Sequence, residues 1–131
     1  MKVLRTYYIF FLSSIVISQE NEAIKYEDLY ERKGLIYASD QDSTFNGTVN
    51  ENWPTGIKKL SYTYKNGKPD SKWSDWFNNG QPKEEVEYSN GIKNGLHKKW
   101  YKNGQQKFER TYKNGIHDGK WTEWYENGQS M

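Results

Sequence analysis

The side chains best suited to chemistry in this sequence are two histidines and a series of carboxylates. His97 and His117 occupy different positions of an internal repeat and belong to no obvious ligand set. The chain has no cysteine, no serine in a nucleophile-elbow motif and no glycine-rich phosphate loop. Carboxylates such as Glu109 and Glu123 recur among lysines on the predicted strands, which is typical of cross-strand charge pairing. We predict a protein that is not an enzyme and uses no cofactor or metal, although spacing leaves open a carboxylate pair assembled by the fold.

The candidate binding residues are three tryptophans, Trp76, Trp100 and Trp124, which are 24 residues apart. If each repeat contributes two strands, neighbours in this row lie two strands apart, about 10 Å at the usual strand spacing. Tryptophan is enriched among interface anchors, so the row predicts a surface for a protein partner. Two alternatives stay open: the row packs structurally against neighbouring strands, or its rings stack on the sugars of an envelope polysaccharide.

The elements that position this row are set by two series of Asn-Gly pairs, each with a period of 24 residues. The first series is at 66-67, 90-91 and 114-115, and the second is at 79-80, 103-104 and 127-128. Both residues tolerate the positive φ angles of a type I′ hairpin turn. Each repeat is therefore predicted to hold two turns and two strands, and a period of this length indicates a repeat array.

The two strands of a repeat differ in length, with nine residues between Gly104 and Asn114 and eleven between Gly115 and Asn127. A β-bulge absorbs such an excess. The candidates are 94-95 and 118-119, where a glycine permits irregular backbone. The first copy has Asp70-Ser71 at this position, so its geometry stays open.

The two faces of the predicted sheet differ in composition, because strand residues alternate between faces. Tracing the pairing gives an aromatic face with Tyr101, Phe108, Tyr112, Trp121 and Tyr125. The opposite face carries Lys107, Glu109, Thr111 and Lys120, and the tryptophan row interrupts it. Aliphatic residues are too sparse for a two-layer core. We predict an all-β, single-layer antiparallel meander of 24-residue hairpin repeats, stabilised by aromatic pairs and by stacking of repeats.

These residues carry a family resemblance. The pattern Tyr-x-Asn-Gly-x-x-x-Gly-x-Trp-x-x-Trp-Tyr-x-Asn-Gly, from Tyr112 to Gly128, resembles the variant MORN-type repeat of proteins named as YwqK-type antitoxins. The stretches 29–37 and 44–49 resemble the segment that often precedes such repeats. The resemblance spans about residues 29–131 and implies a MORN-like binding or scaffolding surface without catalytic residues. The family name also implies an antitoxin or immunity-like role.

The first eighteen residues have the features of a signal peptide. Lys2 and Arg5 precede an apolar stretch over residues 7–17, which is shorter than the about 20 residues of a membrane span. An uncleaved N-terminal anchor is the alternative. We predict a protein that is secreted or located in the periplasm or cell envelope and meets the membrane only through this segment.

Charge excludes one class of partner. Without Lys2 and Arg5 the 19 basic residues fall to 17, which equals the 17 acidic residues. A neutral mature chain lacks the electrostatic footprint of a nucleic-acid-binding protein.

Three segments follow the signal. Residues 19–28 are predicted to be a linker, 29–56 a degenerate N-terminal hairpin and first repeat, and 57–131 the repeat array. For the hairpin we favour strands at 29–32 and 35–38, turning at Lys33-Gly34, over a short helix. Residues 39–56 align with the repeats and are expected to form a cap.

Two motifs in the cap suggest other chemistry. Six residues have the spacing of the ligands in an EF-hand calcium loop, namely Asp40, Asp42, Thr44, Asn46, Thr48 and Glu51. Phe45 stands where a calcium loop needs glycine, which disfavours calcium. Asn46-Gly47-Thr48 matches a glycosylation sequon, for which a plain turn is the alternative.

The array ends in a strand whose outer edge is expected to be exposed or paired with another chain. Exposed edges promote association. We therefore expect weak self-association through the C-terminal edge strand.

Overall fold

The computed structural model describes residues 24–39 and 41–131. The predicted signal peptide, the first part of the predicted linker and Asp40 lie outside the described residues. A 3₁₀ turn, Tyr26–Asp28, precedes the first strand. Within the described part of the chain, no helix has the length and apolar character needed to cross a membrane.

The strands form two antiparallel sheets. The smaller sheet is the predicted hairpin of β1 (Leu29–Arg32) and β2 (Leu35–Ala38), and Lys33 and Gly34 have positive φ at its turn. The larger sheet has nine strands. They are β3 (Gly47–Asn52), β4 (Lys58–Lys65), β5 (Lys68–Pro69), β6 (Ser71–Trp76), β7 (Pro82–Ser89), β8 (Ile92–Trp100), β9 (Gln106–Lys113), β10 (Ile116–His117) and β11 (Thr122–Glu123).

The larger sheet is a meander. Its order is β3-β4-β6-β7-β8-β9-β10, while β5 also pairs with β4 and β11 also pairs with β9. Strands β5 and β6 are thus two parts of one interrupted strand, and so are β10 and β11. The prediction of an all-β antiparallel meander is confirmed.

The Asn-Gly turns of the first series have the predicted conformation. The asparagines have φ angles of 51°, 52° and 50° at Asn66, Asn90 and Asn114, and the glycines that follow also have positive φ. This is the type I′ geometry that suits the twist of a hairpin.

The second series forms a different turn. Of the residues in its Asn-Gly pairs, only the glycines have positive φ. In the first copy, the Phe77 N–H donates to the Gln81 carbonyl and the Gly80 N–H donates to the Phe77 carbonyl. This is a three-residue loop that needs one left-handed residue, its glycine. The prediction of type I′ turns in both series was wrong, because Asn-Gly satisfies either loop length.

The two-residue bulge occurs where it was predicted. Val86 pairs with His97 but Tyr88 pairs with Lys93, so β8 holds two extra residues around Asn94-Gly95. The same shift separates β10 from β11 at residues 118–121 and β5 from β6 at residues 70–71. Ser71 has a φ of 61° there. The first copy therefore has the bulge without a glycine.

A one-residue bulge also recurs, and it was not predicted. Trp76 pairs with Pro82 while Asp75 pairs with Glu84, so Lys83 is the extra residue. Its equivalents are Lys59 and Lys107. The Lys107 ammonium lies 5.3 Å from the centroid of the Tyr101 ring. Placing Lys107 on the opposite face from Tyr101 was wrong, because a bulge interrupts the alternation of side chains.

The hydrophobic core is at the N-terminal end of the larger sheet, on its aromatic face. Its buried members are Ala38, Phe45, Val49 and Tyr64. Partly buried residues pack against them, and among these the Tyr62 ring stacks on Trp73 with centroids 4.3 Å apart. Residues of the N-terminal segment thus cover the first strands of the array.

The cap does not have the geometry of a calcium loop. Thr48 and Glu51 lie on the extended strand β3, where their spacing places them on opposite faces. Asn46 instead binds backbone, because its Oδ1 accepts a hydrogen bond of 2.8 Å from the Asn66 N–H. The EF-hand alternative is therefore incompatible with the fold.

Candidate binding surface

The tryptophan row occupies one repeated position at one end of the sheet. Each member pairs across a three-residue loop with the residue six positions later in the chain. The three pairs are Trp76 with Pro82, Trp100 with Gln106 and Trp124 with Ser130. Because these pairs are equivalent and neighbours are separated by two strands, the side chains form a row with a spacing of about 10 Å.

This row lies on the face opposite the aromatic face. Asp75 accepts a hydrogen bond of 2.6 Å from the Tyr62 hydroxyl, and Glu123 accepts one of 2.6 Å from Arg110. Both acids therefore point to the aromatic face. Trp76 and Trp124 directly follow them, and successive strand residues point to opposite faces.

The three side chains are half-buried, and their indole N–H groups reach solvent. None of the three donates to an acceptor among the described residues. Within that part of the chain, the one buried side-chain nitrogen or oxygen without a partner is Arg110 Nε, so the indole nitrogens of the row are not enclosed. Trp53 and Trp73 differ, because they donate to the carbonyls of Trp76 at 3.3 Å and Thr63 at 2.8 Å.

The surroundings of the row are polar. The Lys58 ammonium lies 5.2 Å from the centroid of the Trp76 ring. Elsewhere on the same face, Lys98 pairs with Glu109 at 3.1 Å. Hydrogen bonds from Lys98 and Gln106 lower the pKa of Glu109. The face thus combines paired charges with the free donors of the row.

The aromatic face contains a buried histidine in a polar cluster. His97 Nε2 lies 2.7 Å from a Glu84 oxygen, and its Nδ1 lies 3.3 Å from the Lys93 ammonium. An ammonium only donates hydrogen bonds. The contact with Lys93 therefore makes Nδ1 the acceptor, and Nε2–H donates to Glu84. The His97 hydrogen bond, assisted by Lys99 and opposed by burial, lowers the pKa of Glu84 to about 2.

Three such pairs join neighbouring strands, and those of Tyr62 and Arg110 are at equivalent positions, 48 residues apart. The pairs are Tyr62 with Asp75, Glu84 with His97, and Arg110 with Glu123. Each carboxylate here is paired with a hydrogen-bond donor, whereas the active site of a glycoside hydrolase uses two carboxyl groups that flank the substrate. In residues 24–39 and 41–131, no group of three or more histidines and acids could hold a metal ion. The pairs are suited to joining strands.

Sequence reasoning missed a second row of repeated contacts. The side chains of Asn46, Asp70 and Asn94 accept hydrogen bonds of 2.8, 3.3 and 3.1 Å from the backbone N–H groups of Asn66, Asn90 and Asn114. We call this row the Asx ladder. It ties each first-series turn to the preceding repeat. Its signal in the sequence is an Asn or Asp placed 20 residues before each of these asparagines.

Comparison with protein-family models identifies the repeats. Three segments of the chain match the MORN repeat variant. They are residues 69–90, 93–114 and 118–131. No curated protein and no solved structure gives a significant match to the chain.

The matches follow the fold. The first segment spans β6 and β7, and the second spans β8 and β9. Each of these two matched segments is therefore one bulged strand, a three-residue loop and one return strand. Each tryptophan of the row stands next to that loop. The protein is a repeat scaffold in the region that these segments cover.

Proposed function

We propose that this protein is an exported, non-enzymatic scaffold that binds a protein partner through Trp76, Trp100 and Trp124. The observation that carries the proposal is that none of the three indole N–H groups has an acceptor among the described residues. Trp53 and Trp73 have internal acceptors, so not every tryptophan of the fold offers a free donor. Donors that reach solvent at a half-buried site are available for a partner without breaking an internal bond.

The architecture supports binding by holding the row in place. Each tryptophan sits in an equivalent backbone pair next to a three-residue loop, so little conformational freedom is lost when a partner binds. Preorganised surfaces lose less free energy to side-chain ordering on association. Tryptophans in such positions are frequent hot spots of interfaces.

A pull-down from envelope extract tests the proposal. The full chain is compared with a variant carrying Trp76→Ala, Trp100→Ala and Trp124→Ala, whose folding is checked by circular dichroism. Trp121→Ala is the matched control, because Trp121 is 56% exposed on the aromatic face. We expect a protein that is retained by the native chain and the control but lost with the folded triple variant. Equal retention by all three chains would contradict the proposal.

Export rests on the features of residues 1–18, and it separates the scaffold from an antitoxin. An antitoxin for a cytoplasmic toxin acts inside the cell, whereas an immunity-like protein of the envelope is compatible with export. A fusion of the full chain to a reporter that is active only outside the cytoplasm should be active. Retention of the fusion in the cytoplasm would favour the antitoxin hypothesis instead.

A further inference from the structure

We propose that the partner presents a proline-rich segment in the polyproline II conformation, which lies across the strands along the tryptophan row. The inference rests on the proposed function, because it assigns a chemistry to the partner of the same surface. Three features carry it: the spacing of the row, its free donors and the limited exposure of its rings.

The spacing of the row matches one turn of polyproline II. Neighbouring tryptophans are two strands apart, which is about 9.6 Å at the usual strand separation. A polyproline II helix has three residues per turn and advances about 9.3 Å in each turn. A segment of about seven residues therefore presents three equivalent positions, one to each of Trp76, Trp100 and Trp124.

The free donors match the acceptors of such a segment. Polyproline II has no internal hydrogen bonds, so its carbonyl groups are available once in every turn on the side that faces the row. Each indole N–H of the row lacks an acceptor among the described residues and reaches solvent. Aromatic grooves recognise proline-rich peptides in this conformation because the segment is ordered before it binds.

Other peptide conformations fit less well. A helix with contacts every seven residues has a similar spacing of about 10.5 Å, but its carbonyls are used in its own hydrogen bonds. In an extended strand, side chains on the same face are two residues apart, which is a repeat of about 6.7 Å. That repeat does not match the row. A strand would also pair with an edge of the sheet, whereas these side chains lie on its face.

Stacking on sugars is disfavoured because the faces of the rings are only partly exposed. A sugar needs an open aromatic face, but all three tryptophans are half-buried. The Lys58 ammonium also lies over the Trp76 ring, 5.2 Å from its centroid. The N–H edges of the rings are the part that remains available, and a carbonyl oxygen is the group that they would bind.

The test uses two probes, a decaproline peptide and a hexasaccharide of β-1,4-linked N-acetylglucosamine. Indole N–H resonances of the ¹⁵N-labelled full chain are recorded during titration with each probe, and a Gly-Ser peptide of equal length is the control. We expect decaproline to shift the resonances of Trp76, Trp100 and Trp124 in a saturable way. Those of Trp53 and Trp73 should stay in place because both indoles have internal acceptors.

A conservative variant tests the donor role. Trp76→Phe, Trp100→Phe and Trp124→Phe together keep aromatic rings but remove the N–H groups, and folding is checked by circular dichroism. Three lost hydrogen bonds should weaken decaproline binding at least about tenfold. Unchanged affinity in the folded variant would overturn the donor role and with it the inference.

The outcomes separate this inference from the function on which it rests. If decaproline does not bind but the pull-down partner is lost with the triple Ala variant, the protein-binding function stands and the polyproline inference fails. Shifts with the hexasaccharide alone would replace it by carbohydrate binding. If neither probe binds and no protein is retained, both proposals fail.

Discussion

The Glu84 carboxylate on β7 accepts a hydrogen bond of 2.7 Å from Nε2 of His97 on β8. The acid belongs to the first strand of this pair but to the second strand in the pairs of Asp75 and Glu123. Glu84 and His97 each lie two residues before the positions equivalent to Tyr62 and Asp75, so their hydrogen bond crosses the two strands on the other diagonal.

Replacing Glu84 by Gln should destabilise the protein at neutral pH by about 2 kcal/mol, after allowance for partial solvent exposure of the pair. The folded protein lowers the pKa of Glu84 from 4.5 to about 2, so its carboxylate binds fewer protons than in the unfolded chain. Its stabilising effect is present above pH 4.5 and is lost as pH falls toward 2. Urea unfolding of both proteins between pH 7 and 2 measures the difference.

Glu85→Gln is the control for this experiment. Glu85 pairs at 2.8 Å with Lys72, whose side chain is 54% exposed. An exposed ion pair contributes about 0–1 kcal/mol. If the difference between the native protein and Glu84→Gln stays constant from pH 5 to pH 2, the linkage to Glu84 is wrong.

Arg110→Lys should destabilise the protein by about 1–2 kcal/mol. The guanidinium carbon lies 4.3 Å from the Phe108 centroid and 4.0 Å from the Trp121 centroid, and the group also binds Glu123. Lysine keeps the charge but lacks the planar group that stacks between two rings. Urea unfolding is the measurement. Arg32→Lys is the control, because that guanidinium lies 5.6 Å from one ring, Tyr37; an equal effect at both positions would argue against the role of stacking.

Asn94→Ala should break one contact of the Asx ladder. The Asn114 N–H would lose its acceptor at 3.1 Å, which costs about 1 kcal/mol. Hydrogen exchange of the Asn114 amide should become faster, and unfolding should require less urea. Asn94→Asp should retain protection because Asp70 has the same role for Asn90. Similar exchange in the Ala and Asp variants would show that the contact contributes nothing.

Ser71→Gly should stabilise the protein by about 1 kcal/mol. Ser71 has a φ of 61°, a left-handed conformation that glycine adopts without the penalty of a side chain. Gly119→Ala is the opposite change in the equivalent bulge, where φ is 89° and no atom lies within 4 Å of an added Cβ. It should destabilise by a similar amount through backbone strain alone. Thermal unfolding measures both variants, and shifts in the same direction would rule out this explanation.

The positions of the turns and of the two-residue bulges were predictable from the sequence. Left-handed backbone is required at few positions of a hairpin, and Asn-Gly supplies it locally. The difference in strand lengths then required a bulge near Asn94 and Asp118, which the registers of β8 and of β10 with β11 confirm. The period did not distinguish the two loop types, since the φ of the asparagine depends on the length of the loop around it.

The sequence by itself determined the period, the all-β class and the row on which the tryptophans lie, because these follow from local turn chemistry and from alternation along a strand. Tertiary structure decided which groups have partners. The bulge at Lys83, the acceptor for Asn114 and the position of Trp100 opposite Gln106 all depend on the register between paired strands. The local sequence pattern does not specify that register, because burial and hydrogen bonding depend on which residues are neighbours in space.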